Sequence, residues 1–141
     1  MVEFNFKSQI ATTIEQSQRL LAIGLKKETA DMSHTAIVIN HKVQYMEHCS
    51  TPKGMDIPAW SLHRLLSLLP KYIRVRKESF GRFRWITLEL SIDAEFVVWY
   101  QEGIDGSDYD ENFYAEDLYT SLCDCIEWLI KEGYFNKEYL V

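Results

Sequence analysis

The sequence predicts an α+β fold in which an antiparallel sheet, made of a three-strand meander and a hairpin, packs against helices. Three observations predict this class. Residues 113–134 place apolar side chains at helical spacing, three β-like runs come directly before them, and a shorter pair of β-like runs lies in the first half of the chain. In chain order the elements are α-β-β-α-β-β-β-α. The length of 141 residues fits one domain covering residues 1–141.

The helix predicted near the C-terminus has the strongest periodicity in the chain. Its apolar residues recur at steps of four, four, three and one, which forms one stripe along an α-helix. They are Leu118, Leu122, Ile126, Leu129 and Ile130. Asn112 is positioned to cap the start of this helix, and Gly133 offers a left-handed stop. Because only one side is apolar, we expect the helix to lie against a sheet or another helix.

A first helix is predicted over residues 12–23. Thr12 and Glu15 have the spacing of a capping box, in which each side chain bonds the backbone of the other residue. Gly24, followed by Leu25, suits a helix stop with a hydrophobic contact.

A short helix is predicted after the loop at residues 50–56. Its leucines occupy positions i, i+3, i+4 and i+7 and are Leu62, Leu65, Leu66 and Leu69. Ser61 or Asp56 is expected to cap its start, and Pro70 ends it.

The strands are predicted from β-branched and aromatic runs separated by turn residues. Residues 35–39 and 43–46 form a hairpin in which Asn40 and His41 turn the chain. The meander comprises residues 72–77, 82–92 and 95–100, joined by short turns.

The cysteine content and hydropathy predict a cytoplasmic protein without membrane contact. No run approaches the about 18 apolar residues that a membrane-spanning helix needs, and the N-terminus lacks the pattern of a signal peptide. The odd number of cysteines (Cys49, Cys123 and Cys125) predicts free thiols rather than a disulfide framework.

The charge is divided unevenly along the chain. Residues 1–84 carry 13 Lys or Arg against 7 Asp or Glu, a balance of +6, whereas residues 85–141 carry 2 against 14, a balance of −12. We interpret this as a basic half and an acidic half that pair within one fold.

A basic hairpin at residues 71–85 is the most distinctive charged feature. Its basic residues are Lys71, Arg74, Arg76, Lys77, Arg82 and Arg84, with Tyr72, Phe80, Phe83 and Trp85 interleaved. Like charges that face each other across strands need an acidic partner. The acidic half of the same chain, the acidic half of a second copy, or a phosphate backbone would each supply one. We predict Arg74, Arg76, Arg84 and Trp85 as contact residues.

The sequence lacks the local motifs of the common catalytic and metal-binding sites. His34, His41, His48 and His63 lack the paired spacing of zinc ligands, so we interpret them as scattered surface or turn histidines. The acidic segment with Asp105, Asp108, Asp110 and Glu111 does not fit the calcium-loop pattern and is predicted to be a solvated turn. No local nucleophile or phosphate-loop motif is present. We therefore predict no catalytic residue, metal or cofactor.

Three segments resemble parts of uncharacterised small proteins from gut bacteroidete bacteria and their phages or mobile elements. They are SQRLLAIGLKKETADM at residues 17–32, DIPAWSLHRLLSLLP at residues 56–70 and IEWLIKEGYF at residues 126–135. The resemblance implies a compact intracellular domain and an origin in a mobile element. Since no activity is established for that group, it implies no catalytic residues for this chain.

These observations leave several functional hypotheses open. The leading one is a non-enzymatic domain that acts through protein–protein contacts, either with another protein or with itself as a homodimer. An alternative is a nucleic-acid-binding accessory protein of a mobile element that uses residues 71–85. Another is an acidic mimic of nucleic acid acting through residues 102–117. An enzyme whose site is assembled only in space is the remaining class.

Overall fold

The structure, a computed structural model, describes residues 8–77, 82–92, 96–102 and 109–141, and for part of residues 75–114 it gives the backbone alone. The fold is α+β, as predicted. Its helices and strands follow in the order α1 (Ile14–Ala22), β1 (Met32–Ile39), β2 (Lys42–His48), β3 (Ile57–Ala59), α2 (Leu62–Leu68), β4 (Tyr72–Lys77), β5 (Arg82–Ile92), β6 (Phe96–Glu102), β7 (Tyr109–Ala115) and α3 (Leu118–Glu132). Single 3₁₀ turns lie at Lys27–Thr29 and Lys137–Tyr139.

The described strands form two antiparallel sheets. One has the order β2-β1-β3 and contains the predicted hairpin; the other has the order β4-β5-β6-β7 and contains the predicted meander. The two strands that the sequence prediction omitted, β3 and β7, each extend a predicted sheet by one strand. The turn predicted at residues 79–81 lies outside the described residues, as do residues 93 and 94 of the turn predicted at 91–94. Ser91 and Ile92 of that predicted turn belong to β5 and pair with β6 instead.

Helix α1 is capped one residue later than predicted. Thr13 accepts a hydrogen bond from the Gln16 backbone N–H at 3.1 Å, and the Gln16 side chain accepts one from the Thr13 backbone N–H at 3.0 Å. Thr12, the predicted cap, is buried instead, and its hydroxyl accepts the Trp60 backbone N–H at 3.1 Å. The capping box therefore uses Thr13 and Gln16, because Thr12 is committed to a tertiary contact.

Helix α3 begins at Leu118 rather than at residue 113. Asp117 caps it by accepting the Thr120 N–H at 2.9 Å. The predicted start and the predicted cap Asn112 were wrong because residues 109–115 form β7, in which Asn112 lies opposite Trp99 of β6. The predicted stop is confirmed: Gly133 has a φ of 79°.

The main hydrophobic core lies where α3 meets α1, α2 and the strands. Its largest fully buried apolar side chains are Trp60, Leu20, Leu25, Leu65, Leu122, Ile126 and Leu129. Ile73 of β4 joins this core, and Phe113 of β7 packs against it. Three residues of the predicted α3 stripe, Leu122, Ile126 and Leu129, are thus fully buried, which is the burial that its one-sided pattern predicts.

One ion-pair cluster joins the basic and acidic halves of the chain. Arg19 of α1 pairs with Asp124 of α3 at 2.7 Å, and it also pairs with Glu127 of α3. Burial opposes the charge on Arg19, but the hydrogen bonds that its guanidinium donates to both carboxylates, together with their negative charge, outweigh burial and raise the pKa of Arg19. This contact is one place where the two halves pair within the fold.

Candidate functional site

The β1–β2 hairpin closes through a tight two-residue turn. Ile39 lies opposite Lys42, and the turn residues Asn40 and His41 have φ values of 51° and 63°. Positive φ at both positions is the signature of a type I′ turn, whose twist matches that of the two strands. The predicted hairpin and its turn are therefore confirmed, although both strands extend further than predicted.

Five apolar side chains of this hairpin are exposed to solvent. They form what we call the hairpin patch: Val38, Ile39, Val43, Tyr45 and Met46. The exposed fractions reach 71% for Val38, 59% for Val43 and 58% for Met46. Single exposed apolar residues are common on protein surfaces, but neighbouring ones mark interaction sites. The hairpin patch is therefore the candidate functional site.

The register divides the hairpin patch between the two faces of the strand pair. Val38 lies directly opposite Val43, and Tyr45 is two positions further along the same face. Ile39 and Met46 have the other parity. Since all five are exposed, neither face of the outer hairpin is covered by the described part of the chain.

The base of the hairpin is anchored, in contrast to its outer part. Met32, Ser33 and His34 are buried, and β1 pairs there with β3 through Met32–Ala59 and His34–Ile57. Burial then decreases along β1, and every residue of β2 is exposed. The hairpin thus projects from a buried base toward an exposed tip.

Among the described strands, β2 lies at the edge of its sheet. In antiparallel pairs, hydrogen-bonded and non-hydrogen-bonded positions alternate, and the pair that closes a two-residue turn is hydrogen-bonded. Lys42, Gln44 and Met46 therefore direct their backbone N–H and C=O groups toward β1. Val43, Tyr45 and Glu47 direct theirs toward the open edge, where another strand could accept and donate hydrogen bonds.

The predicted contact residues lie on β4 and β5. Arg74 is exposed and lies opposite Trp85, and Arg76 lies opposite Phe83. Arg84 lies opposite Val75, so its register position has the other parity from that of Trp85. The register brings Arg74 and Trp85 together and separates Arg84 from them. Their role in binding stays a prediction.

The histidines occupy different environments. His34 is buried, and its Nε2 lies 2.8 Å from the Thr12 carbonyl oxygen, to which it donates. His48 lies on the exposed strand β2, with its Nδ1 2.9 Å from the Ser50 hydroxyl. Among the described residues, no group of three His, Cys, Asp or Glu side chains could hold a metal ion. The interpretation of all four as surface or turn residues was wrong for His34.

The cysteines are free thiols among the described residues, as predicted. Cys49 is exposed, whereas Cys123 and Cys125 of α3 are fully buried. Burial raises the pKa of Cys123 to about 12 and raises that of Cys125 as well. Both buried thiols stay protonated at neutral pH, so neither supplies a thiolate nucleophile.

The acidic segment is described only in part. Asp105 and Asp108 lie outside the described residues. Asp110 and Glu111 belong to β7, opposite Gln101 and Tyr100 of β6, so the predicted solvated turn was wrong for these two residues. The strand pairing, rather than a turn, fixes their position.

A shallow cavity of about 260 Å³ lies at the C-terminal end of α2. It is lined by Ser67, Leu68, Leu69, Pro70, Tyr134, Asn136 and Tyr139. The Ser67 hydroxyl donates to the Arg64 carbonyl oxygen at 2.7 Å. Among its described lining residues, the titratable side chains are Tyr134 and Tyr139, and no carboxylate, histidine, lysine or thiol lines the cavity beside them.

Comparison with protein-family models, with curated proteins and with solved structures finds no match to this chain. Within the described residues, no helix has both the length and the apolar character needed to cross a membrane.

Sequence reasoning located the hairpin but missed its exposed patch. The available signal was the run TAIVI at residues 35–39, which is apolar at adjacent positions and therefore at both strand parities. Such a run is typical either of a strand buried on both faces or of one with a face reserved for a partner. The structure shows that the outer part of this strand is exposed.

Proposed function

We propose that this chain is a protein-binding domain whose contact surface is the hairpin patch. The observation that carries the proposal is the exposure of apolar side chains on a hairpin with a buried base, three of them on one face and two on the other. Burying apolar surface stabilises an interface by about 25 cal/mol per Å² before the costs of association. Tyrosine and methionine, which are enriched at interfaces, supply part of the patch.

The charge of the hairpin favours a protein partner over a polyanion. Between residues 35 and 48, Lys42 and Glu47 are the formal charges, and they cancel when histidine is neutral. Protein surfaces that bind nucleic acid instead concentrate positive charge along the contact. The open edge of β2 adds backbone donors and acceptors, which suit an extended protein segment that pairs as an additional strand.

Site-specific photocrosslinking in the cells that produce the protein tests this proposal. We would replace Tyr45 with p-benzoylphenylalanine and, as the matched control, replace Met55, which is 89% exposed in the loop before β3. We expect a discrete crosslinked species from position 45 and none from position 55. Equal crosslinking at both positions, or none at position 45, would contradict a specific contact at the hairpin patch.

Nucleic-acid binding through the basic hairpin is the second candidate function. It is supported by the exposure of Tyr72 and Arg74, two positions apart on one face of β4, since exposed aromatics and arginines together suit single strands. Titration of a fluorescent single-stranded oligonucleotide at several salt concentrations tests it. Binding that weakens steeply with salt, and that Arg74→Ala reduces, would support this candidate. Binding unchanged by Arg74→Ala would oppose it.

A further inference from the structure

We propose that the partner at the open edge of β2 is β2 of a second copy, paired antiparallel about a two-fold axis at Gln44. This inference rests on the proposed function and adds to it the identity of the partner. In this arrangement Val43 lies opposite Tyr45 of the second copy, and Tyr45 lies opposite its Val43.

The backbone of β2 is complementary to itself in this arrangement. Val43 and Tyr45 both direct their N–H and C=O groups toward the open edge, because Lys42, Gln44 and Met46 use theirs toward β1. When Val43 of one copy faces Tyr45 of the other, each residue donates to and accepts from its partner. A C2 axis repeats this exchange, so the outward groups of both residues are satisfied in both copies.

The side chains select this register over its neighbour. An axis at Gln44 places β-branched Val43 opposite aromatic Tyr45, a favourable cross-strand pair, twice per dimer. An axis at Tyr45 would instead place Val43 opposite Glu47 and Lys42 opposite His48. At the hydrogen-bonded positions, the first register therefore pairs Val43 with the aromatic Tyr45, whereas the second pairs Val43 with the charged Glu47.

The paired hairpins would form one apolar row across four strands. Val38 lies opposite Val43 within one copy, and Ala36 lies opposite Tyr45. Joining Val43 to Tyr45 of the second copy continues the row from Val38 through both central strands to Ala36 of that copy. Val43 and Tyr45 of each copy thus gain an apolar neighbour from the other copy, and the apolar surface between them is removed from water along the shared edge.

The charges permit this association. Each copy has a net charge of −6, but the excess of acidic residues lies in residues 85–141 rather than in the hairpin. The axis at Gln44 places Glu47 opposite His41 of the second copy and Lys42 opposite Met46. Like charges therefore do not face each other across the shared edge.

Disulfide trapping tests the partner and the register together. In a Cys49→Ser background, Gln44→Cys places a thiol on the axis, at a non-hydrogen-bonded pair with Cα atoms about 4.5 Å apart, which a disulfide can bridge. The native thiols Cys123 and Cys125 are fully buried and do not interfere. The matched control is Tyr45→Cys in the same background, because residue 45 lies opposite residue 43 in this register and its Cα is beyond the reach of a disulfide.

We expect Gln44→Cys to form a disulfide-linked dimer under mild oxidation and Tyr45→Cys to form little. Dominant crosslinking through Tyr45→Cys would overturn the register. Without oxidation, light scattering on the unmodified chain should show a dimer, and a monomer over the accessible concentration range would overturn the second copy as partner. A photocrosslink from position 45 to a different protein would support the proposed function while overturning this inference.

A proline substitution isolates the backbone contribution. Val43→Pro removes an N–H that faces the open edge, and edge strands tolerate proline at such positions. Each dimer then loses two backbone hydrogen bonds, so the dissociation constant should rise roughly 30-fold. Val43→Thr keeps the N–H and the β-branched shape and is expected to stay within about threefold of the native value. Equal weakening by both variants would contradict pairing through the backbone edge.

Discussion

Asp31 holds Ser61 through two hydrogen bonds, one from the Ser61 backbone N–H at 2.9 Å and one from its hydroxyl at 2.5 Å. The same hydroxyl oxygen accepts the Arg64 N–H at 3.1 Å and so caps α2. A carboxylate that precedes β1 therefore orients the cap of a helix that follows β3. This contact ties the base of the exposed hairpin to the first turn of α2.

Replacing Asp31 with Ala is expected to lower the free energy of unfolding by about 2 to 3 kcal/mol. The reason is the loss of two hydrogen bonds to a charged acceptor, together with a less well oriented cap. Asp31→Asn keeps one acceptor oxygen and should lose less. Urea unfolding of the three proteins measures the difference. A loss below about 0.5 kcal/mol for Asp31→Ala would show that Ser61 caps α2 without help.

The buried indole of Trp60 depends on Thr29 for its hydrogen bond. Trp60 Nε1–H donates to the Thr29 hydroxyl oxygen at 2.9 Å, and that hydroxyl donates to the Lys26 carbonyl oxygen at 2.6 Å. Thr29→Val keeps the shape but leaves the indole N–H unpaired, so we expect a loss of about 1 to 3 kcal/mol. Thr29→Ser keeps the hydroxyl and should lose less than Thr29→Val. The opposite order would indicate that the methyl group of Thr29 matters more than its hydroxyl.

Local chemistry made parts of this fold predictable from sequence. Turn and cap residues act on their immediate neighbours: Asn40 and His41 adopt left-handed backbone, Ser61 caps α2, and Gly24 and Gly133 end α1 and α3. Each of these positions favours a small set of residue types, so the turn or cap can be recognised from a few consecutive residues of the sequence.

Other elements required contacts that no short window reveals. Strand β7, YDENFYA, is rich in polar residues and lacks a long apolar run, and it is a strand because it pairs along its length with β6. Phe113 of β7 packs against Trp128 of α3, with the centroids of their rings 5.6 Å apart. The acidic first part of β7 favoured a turn and its last residues were assigned to the helix predicted over residues 113–134, but the pairing with β6 makes the whole segment a strand.

The exposure of the hairpin patch likewise could not be predicted from a short stretch of sequence. The β-branched run and the turn residues that predicted the hairpin do not show whether its faces are covered, since buried and exposed strands can share this pattern. Thr35 and Met46 pair within β1–β2, yet Thr35 is half-buried and Met46 is exposed. Only the position of the hairpin relative to the core distinguishes the two, and that position is set by distant contacts at Met32–His34.

The turn of the exposed hairpin can be improved by one substitution. His41 has a φ of 63°, a conformation that glycine adopts without steric penalty. His41→Gly is therefore expected to slow hydrogen exchange of the Gln44 and Met46 amides about fivefold, corresponding to about 1 kcal/mol. Asn40→Gly is the comparison, and it should have a smaller effect because asparagine tolerates this conformation. Unchanged exchange in His41→Gly would show that the turn does not limit the opening of the hairpin.

The end of α3 depends on the conformation of Gly133 rather than on its surroundings. Its φ is 79°, and a Cβ added there would meet nothing within 4 Å. Gly133→Ala is therefore expected to destabilise the protein by about 1 kcal/mol through backbone strain alone. Gly133→Asn should lose less. Since the open space around Gly133 leaves no steric clash for an added methyl group, a loss above about 3 kcal/mol for Gly133→Ala would contradict backbone strain as the sole cause.

The buried thiols of α3 make the protein less stable in alkaline solution. The thiol of Cys123 has its pKa raised from 9.0 to about 12 by burial, and the pKa of Cys125 is raised for the same reason. Above pH 9 the unfolded chain releases these protons and the folded chain keeps them, so the unfolded state binds fewer protons and stability falls as pH rises. Below pH 9 both states hold the protons, and the stability from this source is fully present.

Each thiol should approach a loss of about 1.4 kcal/mol per pH unit above pH 9. Urea unfolding between pH 8 and pH 10 measures this slope largely before tyrosines titrate near pH 10. Cys123→Ala, compared with Cys49→Ala at the exposed cysteine, should reduce the slope by the share of one thiol, whereas Cys49→Ala should leave it unchanged. A slope equal in all three proteins would mean that the buried thiols are not the groups that destabilise the fold at high pH.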